Sequence, residues 1–243
     1  MQQRQVHSAG KEIDFQGKKI IVEQLDTFDF SKATITFFCC GSAITKALAE
    51  KAAKDTIIID NSSLFRMDKD VPLVVPEVNW EDLKNYKKKN IIANPNCSTA
   101  QLVVVLKPLH DLFTIKRVVT STYQSVSGGG KEPMDELIHQ TKQFLNNEPI
   151  QSKKFTKQIA FNLIPHIDIF SDDGYTKEEL KMVNETKKIL DEKIKLTATC
   201  VRVPVLISHS ESVNIQFEKP FSLENVRSAL ESASGCKVVD ERK

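Results

Sequence analysis

The chain has 243 residues, and at ~150 residues per domain that predicts one large domain or two small ones. Lys and Arg total 34 against 32 Asp and Glu, a net charge of +2, so neither nucleic acid nor a membrane surface is expected as a partner. Apolar residues make up 40% and charged residues 27%, which excludes general disorder, and eight Gly with nine Pro exclude a collagen-like or low-complexity chain.

Short β-rich runs alternate with amphipathic stretches. Residues 18–23 (KKIIVE) and 33–40 (ATITFFCC) predict strands, 44–54 a helix with Ala47, Leu48, Ala52 and Ala53 on its apolar side, and 56–60 (TIIID) a buried parallel strand. A strand at 71–75, bounded by Pro72 and Pro76, precedes a polar helical piece at 80–89 and a brief strand at 91–93. Asn94-Pro95-Asn96 predicts a turn, and 98–113 a helix burying Leu102, Val103, Leu106 and Leu109. A strand at 115–124, a Gly loop at 127–130 and a helix at 132–146 follow, the last with Pro133 in its first turn, where a missing N–H costs nothing. Beyond a polar connection at 147–154 the pattern predicts a strand at 155–163 and a helix at 175–190 capped near Thr176. A long β region at 196–218 is turned by Pro204 and by Ser208-His209-Ser210. A helix at 222–232 with Ser222 as its cap and a strand at 236–239 end the chain. The first ~95 residues read as an open parallel α/β sheet, the remainder as an α+β unit with long antiparallel strands.

Five cysteines (Cys39, Cys40, Cys97, Cys200, Cys236) include no C-x-x-C pair, which argues against zinc and for reduced thiols in a cytoplasmic protein. The first twenty residues hold no apolar stretch of signal-peptide length, and no run approaches the ~20 residues that span a bilayer.

The strongest chemical signal is Asn94-Pro95-Asn96-Cys97-Ser98-Thr99. It sets a thiol where a strand turns into a buried helix, so unpaired N–H groups and the positive helix end favour thiolate and offer an oxyanion site. The plainer reading is a small packing residue at a helix end capped by Asn96 or Ser98. A base for the thiol is sought at His209, flanked by hydroxyls at a strand end, or at His166, whose tautomer Asp168 would fix. Arg202 lies seven residues before His209, which puts the two on opposite faces of an extended strand unless Pro204 and the turn reunite them. His7, His110 and His139 read as surface residues. Arg66 suits an anion or a surface ion pair with Asp68, and Glu178 with Lys181 suits an exposed helical pair. The Ser127–Gly130 loop would allow a phosphate or a nicotinamide to approach closely.

Taken together, the strings Ser8-Ala9-Gly10-Lys11, Asp60-Asn61-Ser62-Ser63, Phe65-Arg66-Met67-Asp68 and Val71-Pro72-Leu73-Val74-Val75-Pro76-Glu77-Val78-Asn79 are those of a known family. Asn94 to Thr99, Tyr123-Gln124-Ser125-Val126-Ser127-Gly128, Ile164-Pro165-His166-Ile167-Asp168, Arg202-Val203-Pro204-Val205 and His209-Ser210-Glu211-Ser212-Val213 continue the series. The sequence resembles the bacterial aspartate-semialdehyde dehydrogenases over essentially its whole length.

That resemblance implies a Rossmann-type nucleotide-binding domain at 1–95, and a glyceraldehyde-phosphate-dehydrogenase-like catalytic and dimerisation domain at 96–243. It implies NADP-dependent reductive dephosphorylation of L-aspartyl-4-phosphate to the semialdehyde, in lysine, diaminopimelate, threonine and methionine synthesis. Cys97 would form the thioester, His209 would be the acid/base and Gln124 would orient the acyl group. Arg202 would grip the substrate carboxylate and Glu178 would meet the amine, while Asn96, Arg66 and Lys181 would hold phosphate. His7, Ser8, Cys40, Gly41, Asn61, Ser62, Ser127 and Gly128 would meet the cofactor. A homodimer or homotetramer is implied, and no metal.

Against the family pattern, the opening strand, Gly-rich turn and helix are not found, and the family continues past Lys243, so the nucleotide domain is expected to be partial and the chain trimmed at both ends. His7 stands where the family has Arg. A second reading is therefore a cofactor-deficient, non-catalytic fragment acting as a folded or partner-binding module. A third is another acyl-phosphate or acyl-thioester reductase, against which Glu178 and Arg202 argue.

Overall fold

The computed structural model describes residues 8–241. It opens with an antiparallel hairpin of β1 (Glu12–Phe15) and β2 (Lys18–Ile21), turned at Gln16 and Gly17, both with positive φ as tight hairpin turns require. Only the second strand is expected from the apolar pattern. Both are exposed along their length, so β1 shows no buried face.

β3 (Ile35–Phe38), β4 (Ile57–Asp60) and β5 (Ile91–Ala93) form a parallel sheet in that order. α1 (Ser42–Ala52) joins the first two. Between β4 and β5 lie α2 (Pro76–Asn79) and a 3-10 helix, Trp80–Lys88. Residues 71–75 are buried but form no strand, only one bridge from Leu73 to Ala93, because the flanking prolines have no N–H for a ladder.

The second half begins with α3 (Cys97–Phe113), followed by β6 (Ile115–Gln124), α4 (Lys131–Leu145), α5 (Lys177–Ile189), β7 (Lys195–Arg202), β8 (His209–Phe217) and α6 (Leu223–Ser232). β6 is central, parallel to β7 and antiparallel to β8, so the long strands are not all antiparallel. The β7–β8 connection is no hairpin: Val205 and Leu206 accept hydrogen bonds from Val126 and Ser127, the segment following β6.

Two other expected strands do not form. In 155–163 the backbone N–H groups of Ile159 and Ala160 go to the side chain of Gln140 on α4, so this stretch docks on a helix and not on a sheet. Residues 236–239 have no strand beside them, and Val239 stays exposed.

α3 ties the halves together. Leu102 and Leu106 pack with Met182, Ile194 and Cys200 in the second core, whereas Val103 packs with Ile58, Ile91 and Ile189 in the first. Lys188 on α5 adds a polar tie, donating to the carbonyls of Arg66, Asp68 and Val71 at 2.7, 2.8 and 2.9 Å.

Candidate active site

A cavity of about 540 Å³ opens where the carboxyl ends of β4, β5 and β6 meet the first turns of α3 and α5. Crevices at strand carboxyl ends are where open α/β sheets hold ligands. A second cleft of about 560 Å³ lies between Trp80 and α3, but its wall offers no cysteine, histidine or arginine. Cys97 lines the first.

Cys97 is the first residue of α3, and the residue before it caps the helix. Asn96 Oδ1 accepts from the N–H groups of Ser98 and Thr99 at 3.0 and 3.3 Å. Those two N–H groups are thus already used, which removes them from the oxyanion site expected at this helix end. Cys97 itself is exposed to the cleft. Its thiol is nevertheless pushed above the ordinary range, first by burial of the sulfur and then by the Glu178 carboxylate; the N–H groups of Ser98 and Cys97 and the Arg202 guanidinium only partly offset this. The expectation that the helix end alone would favour thiolate is therefore corrected. Desolvation and a neighbouring carboxylate win.

Glu178 is buried at the centre of a polar network. Oε1 accepts from Asn96 Nδ2 at 2.9 Å and from Gln124 Nε2 at 3.0 Å, and Oε2 pairs with Lys181 at 3.1 Å. Burial pushes this carboxyl up, but Lys181 and the two amides together hold it below the usual range. Gln124 is fixed from its other side, its Oε1 accepting from Thr122 at 2.9 Å. Lys181 also pairs with Asp168 at 2.8 Å, so the expected exposed helical pair is in fact two members of a triad in which Glu178 is buried, Lys181 half-buried and Asp168 exposed. Burial alone would lower the lysine, but Glu178 and Asp168 hold it raised.

Arg66 does not pair with Asp68, which takes Lys89 instead. Its Nη1 meets Glu185 at 3.1 Å, while Nε and Nη2 donate to the carbonyls of Asn94 and Asn61 at 2.9 and 3.2 Å. Glu185 accepts in addition from the Asn96 N–H at 2.6 Å. Both ion-pair partners are buried, and burial keeps the Glu185 carboxyl above its ordinary range despite Arg66.

Arg202 and His209 converge after all. A Cβ placed on Gly128 would stand 3.2 Å from Arg202 Nη1 and 3.4 Å from His209 Nε2. The turn at Pro204 and the positive φ of Ser208 reverse the alternation that a straight strand would impose. Arg202 Nη1 donates to the Ser125 carbonyl at 2.6 Å, and His209 Nδ1 accepts from the Ser125 N–H at 3.0 Å. Burial, and secondarily Arg202, hold the imidazole below its ordinary range.

The comparisons with known proteins agree with this architecture. Residues 2–86 match the family description "Semialdehyde dehydrogenase, NAD binding domain" and 106–243 match "Semialdehyde dehydrogenase, dimerisation domain". An aspartate-semialdehyde dehydrogenase of Aquifex aeolicus is 53% identical over 96% of this chain and 70% of its own length. One from Campylobacter jejuni is 48% identical over 97% and 70%. The chain belongs to the aspartate-semialdehyde dehydrogenase family. A Vibrio cholerae family member, solved as enzyme II complexed with ASA, superposes with a TM-score of 0.93 at 47% identity, covering 95% of this chain and 69% of that one. A Candida albicans member solved with NADP gives 0.67 at 27%, covering 93% and 66%.

Of the residues the family resemblance singles out, Gly41, Asn61, Ser62, Arg66, Asn96, Cys97, Gln124, Ser127, Gly128, Glu178, Lys181 and Arg202 line the one cavity. His209 stands beside Gly128 without lining it, and Cys40 is half-buried next to Gly41 with its sulfur on Thr45. Ser8 is exposed ahead of the hairpin, and His7 lies outside the described residues. His166 does not gain the expected partner: it stacks on Phe170 at 4.4 Å, and Asp168 is taken by Lys181. His110 is not a surface residue, since its Nδ1 accepts from the Ile115 N–H at 3.1 Å.

Asp168, expected beside His166, pairs with Lys181. Glu185 and Ser125 escape sequence reading, although Glu178, Met182, Glu185 and Ile189 share one buried helical face. Two carboxylates on an apolar face were the available signal. No helix among the described residues is long and apolar enough to cross a membrane, and no group of three or more His, Cys, Asp or Glu among them is placed to hold a metal.

Proposed function

We propose that this family member reduces L-aspartyl-4-phosphate to aspartate 4-semialdehyde with NADPH, through a thioester on Cys97 and with release of inorganic phosphate. The observation that carries the reading is the single cavity in which an accessible Cys97 is surrounded by an amide (Gln124), a buried carboxylate (Glu178), two guanidinium groups (Arg66, Arg202) and an ammonium (Lys181). An amino acid activated as an acyl phosphate needs this set: a sulfur for the carbonyl, a carboxylate for the amine, a planar cation for the α-carboxylate and cations for the phosphate.

In this reading His209 takes the Cys97 proton, and the sulfur bonds to the acyl carbon as the carbon–oxygen bond to phosphate breaks and phosphate leaves. Arg202 grips the carboxylate, Glu178 the amine, and Gln124 holds the acyl oxygen's orientation. Asn96, Arg66 and Lys181 receive the phosphate; Arg66 uses three N–H groups on protein partners, out of the five a guanidinium carries. His209 is the imidazole that serves acid/base work beside them. The raised Cys97 thiol makes substrate entry part of activation, because a substrate ammonium beside Glu178 screens the carboxylate that disfavours thiolate.

The turns at residues 40–42 and 61–63 fit a dinucleotide. Gly41 has φ +79 with open space where a Cβ would be, and α1 has no side-chain cap, so backbone donors at this helix end remain for an anion. When bound there, the cofactor supplies the hydride that reduces the thioester. Ser127 and Gly128 line the same cavity, Gly128 beside Arg202 and His209. A division at 95/96 into nucleotide and catalytic domains, assembly as a homodimer or homotetramer, and a cytoplasmic setting complete the proposal.

The test is acylation. With aspartyl phosphate and no cofactor, the peptide carrying Cys97 is expected to gain one aspartyl group that hydroxylamine removes, and Cys97→Ala to gain none. Added NADPH should discharge the ester faster than NADH. Label on another residue overturns the nucleophile, and equal discharge overturns the NADP preference.

A further inference from the structure

Glu185 stands behind the cavity wall, and both of its partners stand in it. Oε1 accepts from Arg66 Nη1 at 3.1 Å, and Oε2 accepts from the Asn96 backbone N–H at 2.6 Å. Arg66 and Asn96 line the cavity, whereas Glu185, itself buried, does not. α5 holds Asn96 a second time, since Glu178, about two turns before Glu185 on the same face, accepts from its Nδ2 at 2.9 Å. Arg66 is held by Glu185 and two carbonyls. That leaves one N–H on each of its terminal nitrogens without a protein partner among the described residues.

Only a carboxylate can make this pair of contacts. The two oxygens of Glu185 face two donors, and one of those is a backbone amide, which cannot turn round and accept. A side-chain amide would satisfy one donor and set its own NH2 against the other. The charges acting on Glu185 are Arg66 and Lys181, both given to phosphate in the reading above. By charge alone, then, Glu185 opposes phosphate, because it cancels part of the field that would attract an anion. What it contributes is geometry.

We propose that Glu185 is the positioning residue of the phosphate subsite: its two oxygens aim the Arg66 guanidinium and fix the Asn96 peptide unit, so that an acyl phosphate meets donors already in place. The inference rests on the functional reading above, which gives Arg66 and Asn96 to phosphate, and adds the group that acts through them. It carries a sign. Removing a negative charge from behind the site would tighten phosphate by electrostatics, whereas losing the aim of its donors weakens it.

Acylation of Cys97 by aspartyl phosphate reads that sign, with inorganic phosphate and L-2-aminobutyrate as competing ligands. The second ligand carries an amine and a carboxylate but no phosphate. In Glu185→Gln the inhibition constant of phosphate is expected to rise about tenfold or more, the loss of one charge-assisted hydrogen bond, while that of L-2-aminobutyrate stays within about twofold. Protection of Cys97 from iodoacetamide by the same two ligands gives both constants should the variant acylate too slowly. Should Glu185→Gln fail to fold, Glu185→Asp takes its place with the same expected split, since it keeps the charge but draws both oxygens back by one methylene. Arg66→Met should weaken phosphate as well, and combined with Glu185→Gln should cost less than the product of the two single losses. Unchanged or tighter phosphate binding in the Glu185 variant overturns the proposal. Equal weakening of both ligands overturns it too, by making Glu185 a support of the whole site, and fully multiplicative losses overturn the route through Arg66. Unchanged phosphate binding in Arg66→Met is a different failure, that of the phosphate site in the functional reading itself.

Discussion

The two walls of the cavity are built on different principles. On the nucleotide side stand turns at strand ends, residues 40–42 and 61–63, whose groups are mostly backbone or small hydroxyls, with Ser42 and Ser63 bonded to each other in the open. On the facing side, charged groups reach between elements far apart in sequence, Arg66 to Glu185, Glu178 to the Asn96 and Gln124 amides and Lys188 over three carbonyls, while Lys181 pairs with Glu178 within α5. The first wall can bind a ligand through whatever N–H groups a turn exposes, and tolerates side-chain change. The second fixes charges before the ligand arrives, at the cost of desolvating each one. Its members are satisfied only together.

The sharpest way to break that contrast is to remove Glu185. Glu185→Ala leaves the Arg66 guanidinium buried without its counter-ion and deprives the Asn96 N–H of its acceptor, and a loss of about 3–5 kcal/mol is expected in urea unfolding. Ser42→Ala, across the cavity, should change stability by no more than about 0.5 kcal/mol. Similar small losses at both positions would mean that the carbonyl contacts of Arg66 suffice, and that the two walls are alike.

A second test concerns a carboxylate beneath the same wall. Glu211 follows His209 by two residues on β8, accepts from Gln101 at 2.7 Å through Oε1, and has no partner at Oε2. Burial pushes its carboxyl up to about 7, with Gln101 opposing. A folded value raised above the unfolded one contributes stability that is complete below about 4.5 and is lost as pH rises through 7. Glu211→Gln keeps an acceptor for Gln101 and cannot ionise, so it should stabilise the protein at pH 8 by up to about 3 kcal/mol and by little at pH 4.5. Urea midpoints at the two pH values decide it. A gain independent of pH would show that Glu211 carries no ionisation penalty.

Arg202→Lys comes next. The planar fork becomes one point charge, and losing a charge-assisted bond of about 1.5–3 kcal/mol should weaken substrate capture more than tenfold. An unchanged KM would take Arg202 out of substrate contact and leave it as the structural partner of the Ser125 carbonyl.

How much of this was legible depends on how local each signal is. α5 announces itself through Thr176 and Glu179, which form a reciprocal capping box, and α3 through Asn96 and its apolar side. β6 is flanked by elements that leave it nowhere to shift, and it runs over the residues its pattern predicts. The strings at 71–75, 155–163 and 236–239 have strand composition too, yet prolines limit the first to a single bridge, Gln140 takes N–H groups of the second, and the third lies against α3, where Cys236 meets the Val104 carbonyl. The site divides in the same way. Cys97 and its cap sit in one contiguous motif, whereas Glu185 and Ser125 act on residues 89 and 84 positions away, where no local pattern reaches. The thiol's upward shift was illegible for that reason: its cause is the field of Glu178 and the surrounding protein, not the helix end that the motif displays.

That last point supplies the smallest and most specific effect. If the Glu178 carboxylate helps to hold the Cys97 thiol protonated, Glu178→Gln should increase the thiolate fraction near neutrality, since an amide keeps the size but not the charge. Thiolate is the reactive form, so iodoacetamide at pH 8 should label Cys97 a few-fold faster in the variant, with the midpoint of the rate-against-pH curve moved downward. Cys39, exposed and not part of the cavity lining, serves as the internal standard and should react alike in both proteins. The same substitution removes the amine's counter-charge, so substrate acylation should fall while alkylation rises. That opposition separates electrostatics from simple loosening of the site, which would speed access for both reagents. Slower labelling of Cys97 in Glu178→Gln would mean that the network around Glu178 exposes the sulfur more than its charge restrains it, and the preorganised wall would then owe its effect on the nucleophile to packing alone.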